Sequence, residues 1–105
     1  MMGDVYDSNV LAGVLGFDGQ NYSFVYDNAF LENSFSRAIS LTLPKQQEPF
    51  LSPYLHPFFA NLLAEGNLKT IQCKKLKIDE EDDFTRLLKT ATDDTIGTIT
   101  IREQL

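Results

Sequence analysis

Alternation of apolar and polar residues in the first quarter of the chain predicts three β-strands joined by tight turns. Val5-Tyr6 precedes Asp7-Ser8-Asn9, a turn-forming run whose short side chains bond the local backbone. Val10–Phe17 is apolar but contains two glycines, which in a strand mark a bulge or a close backbone approach. Asp18-Gly19 favours a hairpin turn, and Tyr22–Tyr26 alternates again. These segments predict a three-stranded antiparallel meander.

A fourth strand is predicted at Ala38–Leu43. The segment alternates with period two, which would place Ile39, Leu41 and Leu43 on one face of a half-buried strand. Pro44 is expected to end the strand, because proline has no amide proton to donate to a ladder.

Helical periodicity begins in the second half of the chain. Ser52-Pro53 predicts a helix start, with a hydroxyl at the N-cap and proline at the first position. Apolar residues then recur with helical spacing and form one stripe; they are Leu55, Phe58, Phe59, Leu62 and Leu63. Gly66 is predicted to end this helix in the C-cap role.

Two more helices and a closing strand complete the predicted fold. Asn67 is expected to cap a basic helix that runs to about Leu76. Asp79 is expected to begin a third helix, because its acidic first turn suits the helix dipole. Thr98–Ile101 is predicted as a short strand. The whole pattern predicts one small α+β domain over residues 1–105, in which the meander and further strands form one sheet packed against about three helices.

Composition narrows the possible functions. The chain has 105 residues, enough for one domain, with 43% hydrophobic residues and a net charge of −6. The acidic balance argues against direct nucleic-acid binding and against an anionic membrane. A single cysteine allows no internal disulfide, and the N-terminus has no signal-peptide pattern. We therefore expect a cytoplasmic protein.

Candidate catalytic groups are few. His56 is the only histidine and precedes a proline near a predicted helix start, so a capping or partly exposed role is expected. Cys73 has no cysteine partner and no obvious base, which favours a structural role. Asp79–Asp83 lacks the spacing of a calcium loop and is interpreted as a solvated helix start. No catalytic residue, metal site or cofactor is predicted.

A local basic patch stands out on this acidic chain. It consists of Lys69, Lys74, Lys75 and Lys77. Its interpretations are a solvated helix face, a nucleic-acid contact or a surface complementary to a protein partner. The acidic balance disfavours nucleic acid, so residue chemistry alone indicates a non-enzymatic interaction module.

Several segments resemble, in the same order, the N-terminal domain of HipA-type Ser/Thr toxin kinases. Phe58–Gly66 resembles the FFxxLLPEG motif of that family, with Ala64 in place of the usual proline. The other matching segments are Val10–Leu15, Tyr22–Asp27, Ile39–Pro44 and, near the end, Phe84 with Leu87-Leu88 followed by Asp94–Gly97. The resemblance covers nearly the whole chain.

The resemblance implies a subunit rather than a kinase. The chain ends at Leu105, where a full HipA-type kinase continues into its catalytic core, so we expect a HipS-like antitoxin from a three-component toxin–antitoxin system. Such a protein would bind a separate HipT-like Ser/Thr kinase and restrain it, in a ternary complex with a HipB-like DNA-binding protein. The alternative is an accessory subunit that completes the kinase or bridges it to the repressor without inhibiting catalysis.

The turn after the FFxxLL segment is the expected kinase contact. Its residues are Ala64, Glu65, Gly66, Asn67, Leu68 and Lys69. Glycine there allows a close backbone approach, and loops on rigid scaffolds commonly carry binding function. The alternative is a plain connection between two helices. Many relatives have tryptophan directly after Glu-Gly, where this chain has Asn67, which supplies much less area than an aromatic anchor. The alternatives are a weaker inhibition, the use of other residues such as Leu68, or inhibition through the DNA-binding partner.

Overall fold

The computed structural model describes residues 1–92 and 98–104, which form one five-stranded antiparallel sheet and four helices. The strands are β1 (Met2–Asp7), β2 (Val10–Phe17), β3 (Tyr22–Tyr26), β4 (Phe50–Ser52) and β5 (Ile99–Glu103). The helices are α1 (Asn28–Glu32), α2 (Pro57–Ala60), α3 (Gly66–Leu76) and α4 (Asp83–Thr90). The strand order in the sheet is β4-β3-β2-β1-β5. The predicted α+β class is confirmed, and α1 and α2 are each only about one turn long.

Turn chemistry explains the β1–β2–β3 meander. Ser8 and Asn9 both have positive φ, at 49° and 68°, as a two-residue hairpin turn of the primed type requires. In the second hairpin, Asp18 Oδ1 accepts hydrogen bonds from the amides of Gln20 at 2.8 Å and Asn21 at 2.7 Å. These bonds, that of Asn21 foremost, hold the pKa of Asp18 below its usual value. The predicted meander is confirmed.

A bulge and a close approach account for the glycine pattern in β2. Val5 pairs with Gly13 but Tyr6 pairs with Leu11, so that Ala12 is the extra residue of a β-bulge. A Cβ atom on Gly13 would lie 2.4 Å from the Val25 carbonyl oxygen and 2.7 Å from the Phe24 ring. Any larger residue at this position would therefore force two strands apart.

One face of the sheet carries the core. Its side chains pack against the helices and against the loop that contains Leu43. The buried core residues are Val5, Ala12, Leu15, Phe24, Tyr26, Phe30, Leu43, Phe59, Phe84, Leu87, Leu88, Ala91, Ile99 and Ile101. On the opposite face Val25 and Leu51 are exposed, and Arg102 lies over the Tyr6 ring at 5.2 Å.

The strand predicted at Ala38–Leu43 is wrong. This segment forms a turn with a single bridge between Ser40 and Leu43, and its apolar residues do not share a face. Leu43 is fully buried while Leu41 is fully exposed. The cause lies elsewhere in the chain, because the Tyr26 hydroxyl donates to the Leu43 carbonyl and accepts from the Ile39 amide at 3.1 Å. The fourth strand is instead β4, which pairs with β3.

The helix predicted between Ser52 and Gly66 is also much shorter in the structure. Ser52 belongs to β4, where its hydroxyl accepts from the Tyr54 amide at 3.1 Å, so it caps no helix. Helix α2 begins at Pro57 and ends after one turn, with His56 as its N-cap. Gly66 does not end that helix; it is the first residue of α3, and Glu65 rather than Asn67 is the N-cap.

The last two elements keep their order but change their limits. Helix α4 begins at Asp83, four residues later than predicted, because Asp79 forms a separate turn by accepting from the Glu81 amide at 2.9 Å. The closing strand is confirmed and extends to Glu103, paired with β1. The resembling segment Asp94–Gly97 lies outside the described residues.

Candidate partner-binding site

The six residues predicted to contact a partner lie together at the start of α3. Ala64 ends the loop that follows α2, Glu65 is the N-cap, and the remaining four form the first turn of α3. Ala64 and Lys69 are half-buried, whereas the four residues 65–68 are exposed. We call residues 64–69 the α3 entry turn. It presents a continuous exposed segment of backbone and side chains.

Arg86 holds the α3 entry turn from behind. This arginine of α4 is only 5% exposed, and its Nη2 donates to the Ala64 carbonyl at 2.7 Å. Its Nη1 donates to Asp83 Oδ1 at 3.0 Å, so the guanidinium is held from two sides. A hydrogen bond from a charged donor is among the stronger kinds in proteins. The turn is therefore fixed on the core rather than loosely tethered.

Gly66 serves the backbone conformation of the turn. Its φ is +61°, in the left-handed region, and a Cβ added there would meet no atom within 4 Å. Glycine is thus needed for the angle and leaves open space around it. Glu65 is extended and makes no side-chain capping bond, which leaves its carboxylate free of the helix it precedes.

The isolated candidates for chemistry lie at helix ends or on the buried side of a helix. His56 Nδ1 accepts from the Phe58 amide at 3.0 Å, as the capping interpretation predicts. Cys73 is buried on the inner side of α3, as expected for a structural cysteine. Asp82 caps α4 by accepting from the Thr85 amide at 3.1 Å. Across residues 1–92 and 98–104, no group of three His, Cys, Asp or Glu side chains is arranged to hold a metal ion.

The tyrosines of β3 face the core. Tyr22 stacks on Phe17, with ring centroids 4.3 Å apart, and lies 6.1 Å from the Phe84 ring. Burial raises the pKa of Tyr22, and the carboxylates of Asp83 and Asp82 raise it further. Tyr26 is 2% exposed, and burial raises its pKa as well. Tyr26 is therefore a core residue, whereas Tyr22 is half-buried at the edge of the core.

Sequence reasoning missed two parts of the site. Arg86 lies on the otherwise apolar inner side of α4, and a charged residue in that position is the signal that indicates a buried polar contact. Leu62 and Leu63 are half-buried in a loop rather than in a helical stripe, and they line a groove that continues from the α3 entry turn. Their helical spacing concealed this position.

The geometry defines a small α+β domain with an exposed, anchored turn, and comparison with other proteins shows its family. The family model of the HipA N-terminal domain matches residues 3–102. A solved structure described as the N-terminal domain of HipA toxin superimposes with a TM-score of 0.69 and is 31% identical, covering 99% of this chain and 94% of that one. The chain therefore belongs to the HipA N-terminal domain family.

Two relatives match this chain over very different shares of their own length. An uncharacterized protein of Haemophilus influenzae is 32% identical over 102 residues, which cover 97% of this chain and 92% of that protein. A protein of Sinorhizobium fredii named "Putative kinase Y4mE" is 33% identical over 64 residues, 61% of this chain but only 15% of that protein. The matched domain is distinct from the catalytic kinase domain. No helix within the described residues has the length and apolarity needed to cross a bilayer.

Proposed function

We propose that this chain is a HipS-like antitoxin that binds a separate HipT-like Ser/Thr kinase in the cytoplasm and restrains it. The chain would do so as a binding subunit, with no catalysis of its own. It would act within a ternary complex that includes a HipB-like DNA-binding protein.

The observation that carries the proposal is that this domain matches a small part of one relative and nearly the whole of another. In the relative named as a kinase, the match occupies 15% of the protein, whereas in the Haemophilus relative it occupies 92%. A domain that forms a small part of a kinase-sized protein has a surface suited to the rest of that protein. A chain made of this domain would dock on a kinase that lacks it, through the same surface.

The α3 entry turn is the contact we propose. Arg86 holds the turn in place, so that binding orders few new groups and loses little entropy. Glu65 and Asn67 offer polar groups, and Leu68, which is 55% exposed, offers apolar area in place of a large aromatic ring. A turn of this kind can cover the entrance of an active site and exclude substrate.

Co-expression with a HipT-like kinase from the same genome tests the proposal. We expect the two proteins to co-purify, the toxicity of the kinase to fall, and kinase phosphorylation of its substrate to decrease when the chain is added. Failure to co-purify, with toxicity unchanged, would falsify the proposal. Co-purification with undiminished phosphorylation would instead show an accessory subunit that completes the kinase or bridges it to the repressor.

A charge change in the turn tests the contact itself. Glu65→Lys with Asn67→Lys is expected to weaken kinase binding at least about tenfold, because both side chains are exposed in the proposed interface. The matched control is Glu48→Lys with Asn21→Lys, which makes the same two changes at exposed positions elsewhere. Equal affinity of the two double variants would remove the turn from the interface.

A further inference from the structure

Helix α3 is much less covered than its neighbours in the fold. Only Cys73 of its eleven residues is buried. Leu68, Ile71 and Leu76 are 55%, 60% and 46% exposed. Short helices in proteins owe most of their stability to an apolar face packed against other elements. Exposed apolar residues repeated along one helix indicate a surface that another element covers.

A groove runs along the side of α3 that carries Leu68 and Leu76, whereas Ile71 is not among its lining residues. It has a volume of about 780 Å³, and we call it the α3 groove. Its walls are α3, the end of α4 and the loop after α2, and its apolar lining includes Leu62, Leu63, Leu68 and Leu76. Leu68 and Leu76 are eight positions apart, about 12 Å at the rise of an α-helix, which matches roughly two turns of a second helix.

The secondary structure of the α3 groove walls indicates whether a helix or an extended peptide would bind there. Helices α3 and α4 use their own backbone groups internally, so the described residues of this surface present no strand edge to which an extended peptide could add. A helix needs no backbone partner and buries its apolar side chains in such a groove at positions i, i+3 or i+4, and i+7. The geometry therefore favours a helix over a strand.

The lysines on and next to α3 indicate which side chains a partner helix would carry. Four of the nine Lys and Arg residues of this acidic chain lie in or next to α3, at Lys69, Lys74, Lys75 and Lys77. In the described part of the chain no salt bridge involves any of the four. Lys75 lines the α3 groove, whereas Lys74 lies with Glu80 on another side of the helix. Unpaired positive charge at a groove favours a partner that carries carboxylates.

We propose that the α3 groove binds an acidic amphipathic helix of the kinase, with its apolar side chains between Leu62 and Leu76 and a carboxylate against Lys75. This inference rests on the proposed kinase partnership, because the groove continues directly from the α3 entry turn through Ala64 and Leu68. A second copy of this chain would bring the same positive helix to the groove and fits less well.

Charge reversal on two adjacent lysines tests the groove. Lys75→Glu is expected to lower kinase affinity about tenfold and to weaken the salt dependence of binding, as expected for an interfacial charge. Lys74→Glu is the matched control, because it makes the same change one residue away on the same exposed helix turn. We expect the control to remain within about twofold of the wild type, and equal effects of the two variants would overturn the inference.

Photo-crosslinking identifies the occupant. A benzoylphenylalanine at Gln72, which lines the groove, is expected to crosslink a kinase peptide that is helical and carries at least two Asp or Glu residues. A crosslink to the DNA-binding protein, to a second copy of this chain or to nothing would contradict the inference. If the kinase binds the wild type and the entry-turn variants fail but Lys75→Glu does not, the proposed function stands and the groove inference falls. If the kinase does not bind at all, both fall.

Discussion

Helices α3 and α4 follow one another in the chain and are packed in opposite ways. Helix α4 has eight residues and buries four of them, including Phe84, Leu87 and Leu88. Helix α3 has eleven residues and buries one, Cys73. Helix α3 thus contributes little to the core, whereas α4 packs its apolar face against the core and covers it.

This contrast in packing indicates that the two helices have different tasks in one small domain. A helix that stabilises the fold needs its apolar residues on one face, as α4 has them. The apolar residues of α3 lie around the helix, so that burying Cys73 leaves Leu68, Ile71 and Leu76 in water. Substitutions in α4 should therefore change stability, and those in α3 should change binding.

The largest effect is expected at the centre of α4. Leu87→Ala removes a fully buried side chain and should lower the free energy of unfolding by about 2–5 kcal/mol. Ile71→Ala, at a side chain 60% exposed on α3, should change it by less than about 0.5 kcal/mol. Urea unfolding of both variants measures the difference, and similar losses would contradict the division between the two helices.

A smaller effect is expected where the two regions join. Arg86→Met removes the part-buried hydrogen bond to the Ala64 carbonyl and should lower the free energy of unfolding by about 1–3 kcal/mol, since Arg86 itself is only 5% exposed. The control is Lys89→Met, which removes a more exposed bridge to Glu103 and should cost at most about 1 kcal/mol. The order of these two losses in urea unfolding checks the role of Arg86.

Removal of the N-cap side chain should lower the free energy of unfolding more for α4 than for α3. The expected losses are smaller than those of the substitutions above. Asp82→Ala removes a side-chain bond to the Thr85 amide and should cost about 0.5–2 kcal/mol. Glu65 caps α3 without such a bond, so Glu65→Ala should cost less than about 0.5 kcal/mol. Thermal unfolding of both variants tests this, and an equal loss would show that the start of α3 is stabilised as firmly as that of α4.

The last effect is confined to alkaline pH and concerns Tyr26, which stacks on Phe30 of α1 away from both helices compared above. Burial raises the pKa of Tyr26 above the usual 10.0, against the opposing hydrogen bond from Ile39. The folded chain thus keeps a proton that the unfolded chain loses, and stability should fall as pH rises above about 10. In Tyr26→Phe the decline should be shallower, as unfolding midpoints over a pH series would show. A slope identical to that of the wild type would exclude Tyr26 as its source.

Local chemistry made the meander predictable. The turns at Ser8-Asn9 and Asp18-Gly19 depend on residues that lie within them, and the bulge indicated by the glycines of β2 is present. By contrast, the pattern at Ala38–Leu43 has strand periodicity, yet the Tyr26 hydroxyl holds it as a turn. A bond from a residue 17 positions away leaves no trace in the alternation of the segment itself.

The same distinction applies to the candidate site. The resemblance predicts a partner contact at the α3 entry turn, and the structure places these residues at the start of α3. The helical stripe that ends at Leu63 was predicted too long, because α2 stops after one turn and Arg86 holds the following loop through Ala64. The α3 groove arises from that loop and was therefore not predictable from periodicity.

The pairing of the first and last strands has a mechanical consequence. Gly3 of β1 lies opposite Glu103 of antiparallel β5, and the Gln104 amide donates to the Met2 carbonyl at 3.0 Å. Residues 2 and 104 lie at the same end of this strand pair. A pulling force applied to them would therefore break the hydrogen bonds between β1 and β5 one after another, instead of loading all of them at once. We expect β5 to peel away at low force, and attachment at that corner to be the gentlest way to stretch this domain.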